Sequence, residues 1–292
     1  MQTLRRTSLA ESTYRLVQRY RRFQSGLVVF LLTALLSIPV WAVSAVADAI
    51  TTESTAPLAT EFEREVSPRL VPPISESTAY ASRLQSELNT AKLALQNDQF
   101  VVVIDRSPSV QAALVYWGSS PRGWALVGAT PVSTSLPGRY EHFLTPLGLF
   151  DHTTANPDYR AEGTKNKLGF RGYGRKGMRV YDLGWVNSYR GWGKGGMGVL
   201  RLQMHATDPD LAEHKLGTPQ SEGCIRISAT LNDFIDRYGI LDDDYERSAA
   251  GGKRLWVLRK DRTPTTYSGR YIVVIETSRT ERPNWSPLPV KQ

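Results

Sequence analysis

Hydrophobic and polar positions divide the chain into a few regimes. From Phe23 to Ala47 no residue is charged. The run GLVVFLLTALLSIPVWAVSAVA (26–47) is long enough to cross a bilayer as a helix, at ~20 residues per span. Between residues 76 and 97, Tyr80, Leu84, Leu88, Ala91 and Leu95 recur at helical spacing, with Ser75 or Ser77 placed to cap the start. Beyond residue 99 the pattern changes to short β-branched and aromatic runs. Phe100–Ile104, Ala112–Trp117 and Trp124–Val132 predict strands, parted by Ser107-Pro108 and Ser120-Pro121. Further strands are predicted over Met178–Val186, Val199–His205, Arg254–Leu258 and Tyr271–Ile275. Thr230–Tyr238 predicts a helix with Leu231, Phe234, Ile235 and Tyr238 on its core face. The stretch 151–177 is rich in Gly, Lys and Asn and has no period, as expected of a lid or an insertion. Asn187–Gly198, NSYRGWGKGGMG, reads as a mobile flap or a long hairpin loop carrying Tyr189 and Trp192. Its glycines follow no phosphate-binding pattern. Residues 277–292, with three prolines, read as a loose tail. The fold class expected from this pattern is mostly β with a few helices.

The net charge of +8 is unevenly placed, because residues 1–22 hold six arginines against Glu11. The remainder carries too little excess for a nucleic-acid-binding surface, so no nucleic acid is expected as a partner. Arginines before the apolar run and Asp48 after it put the tail in the cytoplasm and everything else outside. Ala45-Val46-Ala47 is similar to a signal-peptide cleavage site. A cleaved signal is therefore the competing reading, although the long tail and run favour an anchor that stays. The expected order is a basic cytoplasmic tail (1–22), a transmembrane signal-anchor (23–47), a linker and amphipathic helix (48–98), a strand-rich domain (99–276) and the tail (277–292). A chain of 292 residues has the length for such a core.

Cys224 is the only cysteine, which excludes an intrachain disulfide. It lies in the segment 204–228, MHATDPDLAEHKLGTPQSEGCIRIS, with His205 and His214. A thiol attacks as its anion, so it needs a base or positive charge nearby. A histidine at a strand end and a cysteine in a Gly-tight loop supply those two roles if they meet in space. The bland alternative is an inert, buried thiol packed as a small hydrophobe.

The segment His205 … Ser221-Glu222-Gly223-Cys224-Ile225-Arg226 resembles the signature of the L,D-transpeptidase catalytic domain, the YkuD-like cysteine transpeptidases of bacterial cell walls. Thr145-Pro146-Leu147-Gly148-Leu149-Phe150 is similar to the Thr-Pro-x-Gly-x-Phe stretch that accompanies it. The likeness spans roughly residues 100–260 and implies a β-sandwich or barrel. It implies Cys224 as the nucleophile that forms a thioester and His205 as its base, oriented by the carbonyl of Ala206. Main-chain N–H groups around Glu222, Gly223 and Cys224 would bind the oxyanion. Arg226, a planar cation, suits a substrate carboxylate, with a structural ion pair as the competing role. Ser221 bonds either within its loop or to the substrate. Two positions depart from the family pattern. Glu222 stands where many members have a second histidine, and an anion close to a thiolate raises the thiol pKa. Ala206 stands where glycine is frequent.

The resemblance implies an enzyme of the cell envelope acting on peptidoglycan stem peptides, held to the inner membrane by one N-terminal helix with its domain on the periplasmic side. It implies no cofactor and no metal, and His214 does not have the paired spacing of a zinc site. Alternatives on the same machinery are an L,D-carboxypeptidase or a cross-link amidase. A non-catalytic wall-binding module and a thiol redox sensor are alternatives from other classes. His142 and His152 flank the Thr-Pro stretch and are placed to line the cleft. The sequence leaves the acyl acceptor and the oligomeric state open.

Overall fold

Continuous apolar runs such as Phe100–Ile104 suit strands buried on both faces, and the computed structural model, which describes residues 56–289, places them so. The basic tail and the apolar run expected as a membrane anchor lie outside the described residues. Among those described, no helix is long and apolar enough to cross a membrane.

Two sheets carry the fold. The first runs β3-β2-β1-β9-β4, built from β1 (Gln99–Asp105), β2 (Ala112–Ser119), β3 (Gly123–Pro131), β4 (Gly148–Asp151) and β9 (Tyr271–Ile275). The second runs β5-β6-β7-β8, built from β5 (Tyr159–Arg160), β6 (Arg179–Tyr189), β7 (Met197–Ala206) and β8 (Ile225–Ile227). Alternate residues of the first sheet, among them Phe100, Val102 and Val115, pack against Tyr181, Leu202, Met204 and Ile225 of the second. The opposite face of the first sheet presents Val101, Val103, Leu114 and Val273 to a separate core cluster. The molecule is thus dominated by its sheets, with a few helices.

The sequence expectations need correction in several places. The helix α2 spans Ile74–Thr90, and α1 (Ala59–Glu65) precedes it inside the stretch taken for linker. Pro73 stands at the start of α2, and no side chain caps it. The apolar stripe Tyr80, Leu84, Leu88 covers the outer face of the first sheet. Phe62 of α1 packs edge-on against Phe234 at 5.2 Å. No boundary falls at residue 99, since the described residues 56–289 form one compact unit. The tail is not loose over 277–289. Trp285 is buried edge-on against Tyr80 at 5.9 Å, and the Ser286 hydroxyl donates to the Val110 carbonyl at 2.7 Å. Arg254–Leu258 forms no strand. Its turns hold Arg259 and Val257 beside the polar cluster described next.

The helix predicted over 230–238 is α3 (Ala229–Tyr238), capped by the Ser228 hydroxyl, which accepts from the Leu231 N–H at 3.1 Å, and ended by Gly239 at φ +61°. α4 (Asp243–Ala250) follows. Between these helices and β6 the fully buried guanidinium of Arg179 meets Asp158 (2.6 Å), Asp242 (2.7 Å) and Asp236 (3.3 Å). His152 joins at 2.9 Å from Asp158 and stacks on Tyr245 at 5.0 Å. Burial pushes Asp158 up, but His152 and Arg179 outweigh it and hold the carboxyl below its ordinary value. His152 does not line a cleft; it is part of this buried network. Breaking one partner of such a network leaves an uncompensated charge, at a cost of about 3–5 kcal/mol.

Candidate active site

The parallel pairing of β7 with β8 sets the site. Met204 lies opposite Ile225 and His205 opposite Arg226. Met204 and Ile225 face the core, so strand alternation turns His205, Arg226 and the preceding Cys224 to the outer face of the second sheet. There His205 and Cys224 line one cavity of about 380 Å³, together with Ser221, Glu222, Arg226 and Tyr173. The two groups that the sequence separates by nineteen positions are brought to one face and one cavity.

His205 is buried. Its Nδ1 donates to the Ala206 carbonyl at 2.8 Å, which fixes the tautomer and leaves Nε2 without a proton. Any side chain leaves this carbonyl in place, so alanine for glycine at 206 costs the contact nothing. Burial, with Arg226 adding to it, drives the imidazole down to about 4, so it is neutral at pH 7. Tyr173 lies over the ring at 4.6 Å between centroids. The Tyr173 hydroxyl donates to Gln203, whose amide donates in turn to the buried Asp182.

Cys224 is half-buried, and its Sγ lies 3.8 Å from the Arg201 carbonyl. Burial raises the thiol above its ordinary value, and Glu222 and Asp182 act in the same direction. The Gln203 N–H and Arg226 oppose it without overcoming it. The resting site therefore holds a neutral thiol beside a neutral imidazole.

The loop before Cys224 is clamped from behind. Gly223 sits at φ +137°, where glycine is favoured. Its N–H donates to Ser221 Oγ at 3.1 Å, and Ser221 Oγ donates to the Cys224 carbonyl at 2.6 Å. Two expectations change here. The Ser221 hydroxyl is spent inside the loop, so it is a turn residue and not a substrate contact. The Gly223 N–H is likewise occupied, which leaves the main-chain N–H groups of Glu222 and Cys224, without partners among the described residues, to meet an oxyanion. Thr145 completes the clamp: its Oγ1 donates to the Gly223 carbonyl at 2.8 Å and accepts from the Ser135 N–H at 3.0 Å. The Thr-Pro stretch was legible only as an accompaniment of the motif; that Thr145 holds the Cys loop is shown by the three-dimensional contacts.

The Glu222 carboxylate is exposed at the mouth and forms no ion pair among the described residues. Arg226 is half-buried, and burial lowers its pKa. Its guanidinium has no ion-pair partner among the described residues, so the structural role considered for it is not what the contacts show. The irregular stretch after β5 folds over this face as a loop closed at its base, where the Ala161 N–H donates to the Met178 carbonyl at 2.8 Å. Arg171 and Arg175 anchor it to Asp210 at 2.9 and 2.6 Å. Tyr173 belongs to this loop, and nothing in the sequence marked it.

The glycine-rich stretch is no free flap. β6 and β7 extend into it, leaving residues 190–196 as the turn. That turn is tied to the segment before β4 by the Gly191 N–H on the His142 carbonyl (2.9 Å) and by Trp192 edge-on to Phe143 (4.8 Å). His142 lines a neighbouring cavity. His214 lies half-exposed in a single 3-10 turn, Glu213–Lys215, and among the described residues no group of three ligands could hold a metal ion. No protein-family model matches this chain, and no curated protein does.

Proposed function

We propose that the protein is a cysteine acyltransferase of the L,D-transpeptidase kind, acting on peptidoglycan stem peptides. The observation that carries the reading is the placement of Cys224 and His205 on one sheet face, lining one cavity, with His205 tied through Nδ1 so that Nε2 is free to take a proton. The motif resemblance supplies the substrate class. As the Cys224 sulfur bonds to the substrate carbonyl carbon, its proton moves to His205 Nε2. The N–H groups of Glu222 and Cys224 meet the oxyanion, each such donor being worth about 3–4 kcal/mol. The C–N bond then breaks, His205 returns the proton to the leaving amine, and a thioester remains. An incoming amine reverses these steps. Water as acceptor would give the carboxypeptidase or amidase alternative. Two sheets sharing one core support the fold that the resemblance implies, and the basic tail and uncharged run suit a wall-facing enzyme anchored in the inner membrane.

Full-length protein in detergent, incubated with a carbapenem and with disaccharide-tetrapeptide muropeptides, tests the reading by intact-mass spectrometry. The expected result is one covalent adduct on wild type and none on Cys224→Ala. No adduct on wild type, or an adduct that survives the substitution, refutes it.

A further inference from the structure

The outer face of the second sheet continues past the cavity that holds Cys224 and His205. There β6 and β7 pair Trp185 with Arg201, Asn187 with Val199 and Tyr189 with Met197. All six are exposed, while the intervening Val186 and Leu200 pack against the core. Trp185 is 65% exposed and Tyr189 50%. A single apolar residue at a surface is ordinary, but a contiguous row marks a contact surface. The indole is also held in place. The Arg201 guanidinium lies 5.7 Å from the centre of the Trp185 ring, and its Nε donates to the buried Asp182 at 2.7 Å. A ring fixed in this way has little conformational freedom left to lose on binding.

We propose that this row is a glycan platform, which holds the sugar end of the donor while its peptide end reaches Cys224. The inference rests on the acyl-transfer reading and adds a subsite to it. The chemistry of the row suits a sugar. The negative faces of aromatic rings attract the partly positive C–H groups on one face of a pyranose. Asn187 and Arg201 stand beside the rings, placed to meet the hydroxyl and amide groups at the rim of that sugar. The span suits it too. Trp185 is opposite Arg201 on β7, and Cys224 precedes Ile225, which is opposite Met204. With strands about 4.8 Å apart and a rise of about 3.3 Å per residue, the two backbone positions are about 12 Å apart. When the last residue of a tetrapeptide is the leaving amine, the reacting carbonyl is three residues from the sugar, about 10–11 Å of extended chain. The path is continuous as well: the Cys224 sulfur lies 3.8 Å from the carbonyl of Arg201, the cross-strand partner of Trp185. A donor lying across this face turns no corner between the platform and the thiol.

The test follows acyl-enzyme formation on the full-length protein in detergent by intact mass, with a disaccharide-tetrapeptide and the free tetrapeptide as donors. A carbapenem, which carries no sugar, counts the folded sites in each preparation. Wild type is expected to favour the disaccharide donor about tenfold in the second-order rate of acylation, with the difference residing in donor affinity. Trp185→Ala is expected to reduce that preference below about threefold, and Trp185→Phe to keep most of it. On wild type, a tetrasaccharide of N-acetylglucosamine is expected to compete with the disaccharide donor and not with the free tetrapeptide. That competition decides the matter where the alanine variant yields no folded protein. Equal use of the two donors by wild type, a preference unchanged in Trp185→Ala, or no competition by the tetrasaccharide overturns the platform, while carbapenem labelling of Cys224 leaves the acyl-transfer reading standing. A sedimentation mass that falls from oligomer to monomer in Trp185→Ala assigns the row to a second copy of the chain and overturns it as well. No adduct from either donor or from the carbapenem overturns both readings.

Discussion

The protonation state of the resting site is open to direct attack through the sulfur. An ordinary thiol titrates near ~8.5 and is only a few per cent thiolate at pH 7; Cys224 is raised above its ordinary value by burial, with Glu222 and Asp182 adding to the effect. His205 is held at about 4. His205 alone lies about 2.5 pH units below an ordinary imidazole, which adds about 3 kcal/mol to moving the proton from sulfur to ring, and the raised thiol adds to that cost. The neutral pair is therefore the expected resting state. The perturbation is alkylation of the full-length protein with iodoacetamide from pH 5 to 10, followed by intact mass. The rate is expected to rise about tenfold per pH unit up to at least pH 8.5 without a plateau, because only the growing thiolate fraction reacts. His205→Ala is expected to stay within about twofold of wild type below pH 8, since a neutral imidazole does not stabilise the anion. A plateau between pH 5 and 7, abolished by His205→Ala, would refute the reasoning and establish the ion pair.

Two further outcomes follow from named contacts. The folded-state pKa of His205 lies below its unfolded value of ~6.5, so the unfolded chain binds more protons between the two. The stability linked to His205 is then complete above pH 6.5 and is lost as pH falls toward 4. Between those values wild type should lose up to about 3 kcal/mol more than His205→Gln in denaturant melts, and parallel pH profiles would show the imidazole is not buried neutral. Thr145→Val keeps the shape of the side chain but strands the buried Gly223 carbonyl and Ser135 N–H. It should cost about 2–4 kcal/mol and slow acylation of Cys224, while Thr145→Ser retains both contacts; wild-type stability in the valine variant would contradict the clamp.

How much of this was legible in the sequence depends on whether a feature is local. Phe100–Ile104 and Ala112–Trp117 are runs whose own side chains choose the strand, and both strands formed within a residue or two of expectation. α3 was marked by its apolar stripe and ended at Gly239, which takes the left-handed turn. Non-local features were lost. The stripe Tyr80–Leu84–Leu88 gave the helix but not what it covers, and a Thr/Ser/Pro-rich stretch hid α1, whose seven residues are held by Phe62 in a distant core. Arg254–Leu258 has strand-forming residues, yet Arg259 pairs with Asp233 of α3 and the Val257 carbonyl accepts from Arg160 of β5, which tie the segment down in place of a ladder. In the site, the motif named His205 and Cys224. It could not show that Ser221 turns inward, that Gly223 spends its N–H, or that Tyr173 covers the imidazole, because each follows from loops meeting in space.

The arrangement also explains why the chemistry sits where it does. The first sheet has both faces occupied, by the second sheet on one side and by α2 with Trp285 on the other. The second sheet has its inner face in the same core, so its outer face alone among the sheet faces is left for a ligand. Strand alternation on β7 then turns His205 outward because Leu202 and Met204 face inward, and the parallel partner β8 places Arg226 opposite it. A one-residue slip of β8 against β7 would bury Cys224 and Arg226 and expose Ile225 and Ile227. The apolar pair Ile225 and Ile227 therefore does more than fill the core: it fixes the register that keeps the sulfur on the open face. The Thr145 and Ser221 hydrogen bonds hold the loop at that register, so the outward cysteine is a consequence of core packing on one side and buried hydroxyls on the other.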